Sequence, residues 1–278
     1  MNAHSNSNTL QMHQMNRSAW NEAAEMYEAA VDVSIEFLRS GGKNFCNPEL
    51  AYLKDLADWC ERAIHLQCAG GRDTLSLWNH GAREVIGIDI SDRMIAAAQR
   101  TSQAIDANAQ WFCCDILEAP HELDGTADLV YTGRGALCWI MDINAWANVI
   151  ERLLKPEGRL YIFDGHPLQW LWDVEASTLQ IDPKPPYGNY FSREIDQSRG
   201  WPGSYIPPES VLPVDQQSVK HECQWTLGDI INSLIDAGLF VVRFEEHPDQ
   251  YWDQFPNLPL DVICRLPQTF SLLMRKPF

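Results

Sequence analysis

The strongest constraint on this chain is the alternation it keeps between residues 62 and 165. Short apolar runs, "RAIHLQC", "EVIGIDI", "AQWFCCDI", "ADLVYTG" and "GRLYIFDG", are separated by stretches with helical spacing, "DTLSLWNHG", "SDRMIAAAQRTSQAI" and "DINAWANVIERLL". Strands apolar on both sides need cover on both faces. A strand–helix–strand rhythm supplies it as a parallel sheet under two layers of helices. The punctuation agrees: Ser91 is placed to cap a helix, Gly81 to close one and Pro156 to stop one. The expected fold is α/β, a doubly wound Rossmann-like sheet.

Around this core the pattern changes. Residues 16–38 have apolar residues at helical spacing and read as one or two helices, and 49–60 as another short one. After His166 the rhythm breaks into a stretch rich in Pro, Gly, Trp and Tyr. It is too long for an ordinary connection and too aromatic for a flexible linker. A helix, "TLGDIINSLIDAG", and two strands, "LFVVRFEEH" and "TFSLLMRK", follow. The expected division is an N-terminal helical lid over 1–58, a core over 59–166, an inserted cap over 167–224 and a completion of the core sheet over 225–278.

Composition narrows the partners. The net charge of −17 repels phosphate backbones, so no nucleic-acid partner is expected. No apolar stretch reaches the roughly 20 residues of a membrane span, and the polar N-terminus lacks a signal peptide's apolar centre. A cytoplasmic protein without a membrane partner is expected, as a monomer or homodimer. The eight cysteines include no C-x-x-C pair and most lie in apolar surroundings, which reads as buried free thiols and no metal.

In doubly wound sheets the ligand lies outside the carboxyl ends of the strands, near the switch in strand order. The first strand–turn–helix is "HLQCAGGRDTLSL", where Gly70 and Gly71 permit a tight turn and close ligand approach. The second strand ends at Asp89, 18 residues after Gly71, where an acid accepts hydrogen bonds from ribose hydroxyls. A further acid, Asp115, closes the third strand in "CCDI".

With these elements the sequence resembles the class I S-adenosylmethionine-dependent methyltransferases over roughly residues 60–165. "HLQCAGGRDTLSL" looks like their first motif, "GIDIS" the acidic loop, "CDI" the adenine-side acid, "ADLVYTGRGALCWI" the fourth-strand motif and "LLKPEGRLYIFDGHP" the fifth. More narrowly it resembles a bacterial subgroup with "LHLQC", "YTGxGALCW" and "EGHP" motifs, a likeness that extends to "WTLGDIINSLIDAGL" and "RLPQTFSLLMRKP". The resemblance implies a seven-stranded sheet with a C-terminal antiparallel strand, and S-adenosyl-L-methionine as cofactor. It places Asp89 on the ribose, Ile90 and Met94 against the adenine, Asp115 on its amino group and Ile116 over the ring. Thr132 and Gly133 fall beside the methionine portion, with Gln67, Ala69, Gly70 and Gly71 in the turn. His65, Gln67 and Ala69 depart from the family's acid and glycines; Ala69 is tolerable if its backbone angles are ordinary.

Methyl transfer from a sulfonium is a displacement, promoted mainly by alignment and exclusion of water, with a base needed only for a protonated nucleophile. His166 is the expected base and Asp164 its partner, both in "FDGHP" at the end of the fifth strand. The aromatic residues Tyr187, Tyr190, Trp201, Tyr205 and Trp225, with His221, are expected to line a substrate pocket together with Trp20 and Tyr27, which share one face of a helix that either closes over the cofactor as a lid or packs on the sheet. The expected substrate is a small molecule methylated on an amine or guanidine-like nitrogen. The alternatives are O- or C-methylation of a natural-product intermediate and a non-catalytic S-adenosylmethionine-binding protein. A nicotinamide-dependent reductase is disfavoured, because "QCAGGR" fails G-x-G-x-x-G and no Tyr-x-x-x-Lys pair occurs.

Overall fold

The computed structural model describes residues 3–201 and 212–278. Five parallel strands form its centre: β1 (Arg62–Leu66), β2 (Glu84–Asp89), β3 (Ala109–Cys113), β4 (Ala127–Gly133) and β5 (Leu154–Gly165). A two-stranded antiparallel ribbon, β6 (Ile195–Ser198) and β7 (Lys220–Cys223), lies in the insertion. The chain then returns through β8 (Phe240–His247) and β9 (Thr269–Arg275) to complete a seven-stranded sheet of order β3-β2-β1-β4-β5-β9-β8. β9 runs antiparallel between β5 and β8, the antiparallel strand expected from the resemblance.

The two-residue period of the strands assigns the two cores. Ala63, Leu129, Tyr131, Tyr161 and Phe163 point to one face, beneath helices α2 (Val31–Arg39), α3 (Asn47–Leu53) and α4 (Arg72–Asn79). Their neighbours Ile64, Leu66, Val130, Leu160 and Ile162 point to the other, beneath α6 (Ile143–Leu153) and α7 (Leu227–Asp236). Local chemistry sets the helix starts: Ser91 accepts from Met94 N–H at the head of α5 (Asp92–Ala104), and Thr226 with Asp229 forms a capping box on α7. A short helix, α8 (Leu260–Ile263), precedes β9.

The N-terminus differs from the reading by periodicity. Helix α1 spans Ala3–Ala29, back through the polar segment. Beside an apolar face of Met12, Ala19, Ala23 and Ala24 it also buries the polar residues Thr9, His13 and Asn16. The cysteines are all free, as expected, but Cys113 and Cys264 are exposed. Among the described residues no helix is long and apolar enough to cross a membrane.

Candidate active site

The strand order reverses between β1 and β4, so the loops leaving these two strands diverge and open a crevice at their carboxyl ends. The turn after β1 is left-handed at Gln67 (φ +56°), Ala69 (φ +45°) and Gly71 (φ +78°). Ala69 therefore does not meet the condition of ordinary backbone angles under which it would cost little. The turn keeps the shape glycines would give and holds two side chains in a conformation that costs roughly 1 kcal/mol or more each. Asp89 compensates by accepting the Ala69 N–H at 2.8 Å on one oxygen and the Ser91 N–H at 2.9 Å on the other. Gly133 is required at the end of β4, since a Cβ there would stand 1.9 Å from the Phe163 carbonyl oxygen.

These turns surround a cavity of about 110 Å³. Gln67, Ala69, Asp89, Ile90, Asp115, Ile116 and Gly133 border it from the strand ends, and Met94 from α5. Across it lies α1, which contributes His13, Asn16, Trp20 and Tyr27. Arg134, Gly135, Ala136, Trp139 and Ile140 complete the wall after β4. His13, Asn16, Arg134 and Trp139 escaped sequence reasoning. The signal for the first two was present: positions 13 and 16 continue the Trp20–Tyr27 face at helical spacing, hidden by their polarity.

Helix α1 is fastened on both sides. Arg17 and Asn21 donate to Asp92 at 2.9 Å each, and Arg93 donates to Glu28. Towards the insertion, the Asn16 amide donates to the His221 carbonyl at 2.9 Å and accepts the His221 N–H at 2.7 Å, as a neighbouring strand would. Glu22 accepts from Ser218 N–H at 2.9 Å.

Several expected site residues are engaged elsewhere. Asp164 accepts the N–H groups of Gly135 (2.5 Å), Gly165 (2.7 Å) and Leu137 (3.2 Å), anchoring the loop after β4. His166 is buried, with Nδ1 accepting the Leu168 N–H at 3.0 Å and Nε2 2.9 Å from Glu246. Neither residue borders the cavity, and the expected roles of His166 as base and Asp164 as its partner find no support in its lining: Asp164 holds the loop after β4 and His166 its own turn. Gly71 packs helix on sheet, because a Cβ would lie 2.5 Å from the Trp111 ring, and Gly70 makes room for Tyr27. Thr132 is fully buried and off the cavity.

In the insertion, Tyr187 stacks on Trp170 at 5.2 Å and donates to Asp196, Tyr190 accepts the Leu227 N–H, and Trp225 donates to the Ile140 carbonyl. His221 is a buried residue of β7 itself. These four pack the insertion and do not border the cavity. Trp201 joins Trp20 (4.8 Å) and Trp139 (5.9 Å) in a cluster at the cavity's edge. Tyr205 lies outside the described residues. His65 lies in the core, 2.8 Å from Thr74 Oγ1, where burial pushes its pKa down to about 3.

Residues 63–158 match the family model described as Methyltransferase domain. No curated protein matches the sequence. Among solved structures the chain is similar to one from Listeria monocytogenes assigned to the S-adenosylmethionine-dependent methyltransferases, with TM-score 0.59 and 18% identity, over 83% of this chain and 98% of that one. It is similar to an S-adenosylmethionine-dependent methyltransferase from Mesorhizobium loti (TM-score 0.56, 22% identity, 82% and 96% covered). A third likeness is to geranyl diphosphate C-methyltransferase from Streptomyces coelicolor (TM-score 0.54, 12% identity, 82% and 78% covered). At these identities the structures speak to the fold, and the domain match to the class. Residues 63–158 thus match a methyltransferase domain, on a fold the chain shares with S-adenosylmethionine-dependent methyltransferases.

The residues present fit that cofactor. Gln67 donates to the Ala136 carbonyl at 2.7 Å while its own carbonyl oxygen is buried at the cavity wall without a partner, an acceptor suited to the methionine ammonium. Arg134 brings a guanidinium to the adjoining wall, suited to the methionine carboxylate. Burial pushes the Asp89 carboxyl up to about 6, against the pull of its backbone donors. Asp89 would thus be a full acceptor for ribose hydroxyls only above that pH. We expect Asp89→Ala to weaken S-adenosylhomocysteine binding by about 1–3 kcal/mol in calorimetry. We also expect wild-type affinity to fall as pH is lowered through about 6, a dependence the variant lacks. Equal affinities would remove Asp89 from the site.

Proposed function

We propose that the enzyme methylates the nitrogen of a small amine or guanidine-like metabolite, with the insertion as substrate cap and α1 as a lid that opens for cofactor exchange. The observation that carries this reading is Glu222. On β7 the two-residue period puts Lys220 and Glu222 on one face, opposite Ser198 and Asp196 of β6. Lys220 Nζ lies 4.6 Å over the Trp201 ring, and the Glu222 carboxylate meets the Cys138 thiol, next in sequence to cavity-lining Trp139. Burial raises the Glu222 pKa, Lys220 opposes it and Asp196 adds to it. A partly buried carboxylate of raised pKa, outside the cavity lining but joined to it through Cys138 and on one strand face with the lysine over Trp201, suits an alkylammonium group.

When bound, S-adenosylmethionine supplies a methyl group on a positively charged sulfur. Glu222 would receive the ammonium and take up the proton whose loss leaves the nitrogen lone pair free. The tryptophan cluster would exclude water, and the loop fixed by Asp164 would hold the wall against which the acceptor is aligned.

The test is a mass-spectrometric screen of small amines for the mass gain of one added methylene unit, followed by kinetics of Glu222→Gln on the substrate found. We expect turnover to fall roughly 10²–10⁴-fold while calorimetric affinity for S-adenosylhomocysteine is retained. A product methylated on oxygen or carbon, or unchanged turnover in the variant, would sink the reading.

A further inference from the structure

His13 is buried to 4% exposure and makes two directional contacts. Its Nε2 accepts the Met141 N–H at 3.1 Å, so the ring carries its proton on Nδ1. Nδ1 stands 2.8 Å from Asp115 Oδ2 and donates to it. The other oxygen, Oδ1, accepts the Leu117 N–H at 2.9 Å. Each oxygen of Asp115 thus has one donor and one lone pair left, and Asp115 itself borders the cavity beside Ile116 and Ile140. Its carboxylate cannot rotate without breaking one of the two bonds.

We propose that His13 is a positioning residue for the nucleobase: it fixes Asp115 as an acceptor towards the cavity, so that a 6-amino purine is taken and a 6-oxo purine refused. The inference rests on the cofactor reading above. A 6-oxo base would set an acceptor against an acceptor in a nearly water-free place, the arrangement that gives strong discrimination. Because His13 belongs to α1, the same contact ties base recognition to the helix that covers the site. His13 acts through Asp115 and through the position of α1, and has no part in methyl transfer itself.

The experiment is calorimetry with S-adenosylhomocysteine and its 6-oxo analogue S-inosylhomocysteine on the full chain, as wild type, His13→Ala and His13→Gln. Circular dichroism and thermal melts confirm that each variant is folded. Wild type is expected to bind the amino form more tightly. His13→Ala should lose roughly 5- to 150-fold in affinity for it, with a smaller loss for the oxo form, so that the preference narrows. His13→Gln offers one donor and one acceptor in place of the two ring nitrogens and should recover part of the preference. Equal losses for both ligands in His13→Ala, or an unchanged preference, would overturn the assignment and leave the cofactor reading standing. Wild type that binds neither ligand would overturn the cofactor reading, and this inference with it.

Discussion

Glu49→Ala is expected to destabilise the protein by about 3–5 kcal/mol and to remove cofactor binding with the fold of the site. Glu49 is fully buried and accepts from four donors: Cys46 N–H at 2.7 Å, Tyr131 O–H, and Arg134 through Nε at 3.2 Å and through Nη2. Arg134 is held further by the Asn44 carbonyl at 2.6 Å, and Asp73 lies 3.9 Å away. Removing the carboxylate leaves a guanidinium in the cavity wall with its principal counter-charge gone. It also leaves a tyrosine hydroxyl and a backbone N–H without acceptors, and each such buried group costs about 1–3 kcal/mol. Denaturant unfolding measures the loss. Glu49→Leu fills the space and should lose as much, which separates charge from volume. A loss near 1 kcal/mol, typical of an exposed pair, would show that Asp73 or solvent takes over the arginine.

The second large effect is expected at Asp164. Asp164→Ala strands three backbone N–H groups in the loop 135–165 contact and should cost about 3 kcal/mol or more, with S-adenosylhomocysteine affinity falling as the loop loosens. Asp164→Asn keeps one oxygen for Gly135 and Gly165 but turns an amide donor towards the Leu137 N–H, so its cost should be smaller. Burial pushes the Asp164 pKa up to about 6, despite the three amides. The native state then holds a proton more tightly than the unfolded chain, whose aspartates titrate near 3.9. Stability therefore falls as pH rises from about 4 to about 6, and Asp164→Asn should lessen that slope. Asp89 contributes in the same direction and keeps the slope from vanishing. Unfolding free energies across that range check the sign; an unaltered slope in Asp164→Asn would show that Asp164 titrates normally.

Asp164 and His166 also show what linear reading leaves out. Their motif, "FDGHP", stands at the end of β5, and their chemistry suits proton transfer. Both are nevertheless taken up by neighbours far along the chain or by backbone, Asp164 by the loop after β4 and His166 by Glu246 of β8. A sequence gives the position of a side chain on its strand, and it does not give the partners that reach it from other strands. The aromatic insertion repeats the lesson. Composition alone makes Tyr187, Tyr190 and Trp225 pocket candidates, yet a segment with little regular structure needs its own packing, and these rings supply it.

The sequence by itself determined the doubly wound sheet, the two strand-end acids and the turn between β1 and α4. These depend on periodicity and on spacing within a single strand–turn–helix unit, which local geometry enforces. Only the tertiary structure decided that Gln67 and Ala69 adopt glycine-like angles, because Asp89 holds the turn from the next strand. It also decided that a polar N-terminal segment becomes the wall of the site. His13 and Asn16 carry no apolar pattern, and their burial is stable because Asp115, Met141 and His221, between 102 and 205 residues away in the chain, pair both ring nitrogens of His13 and the amide oxygen and nitrogen of Asn16.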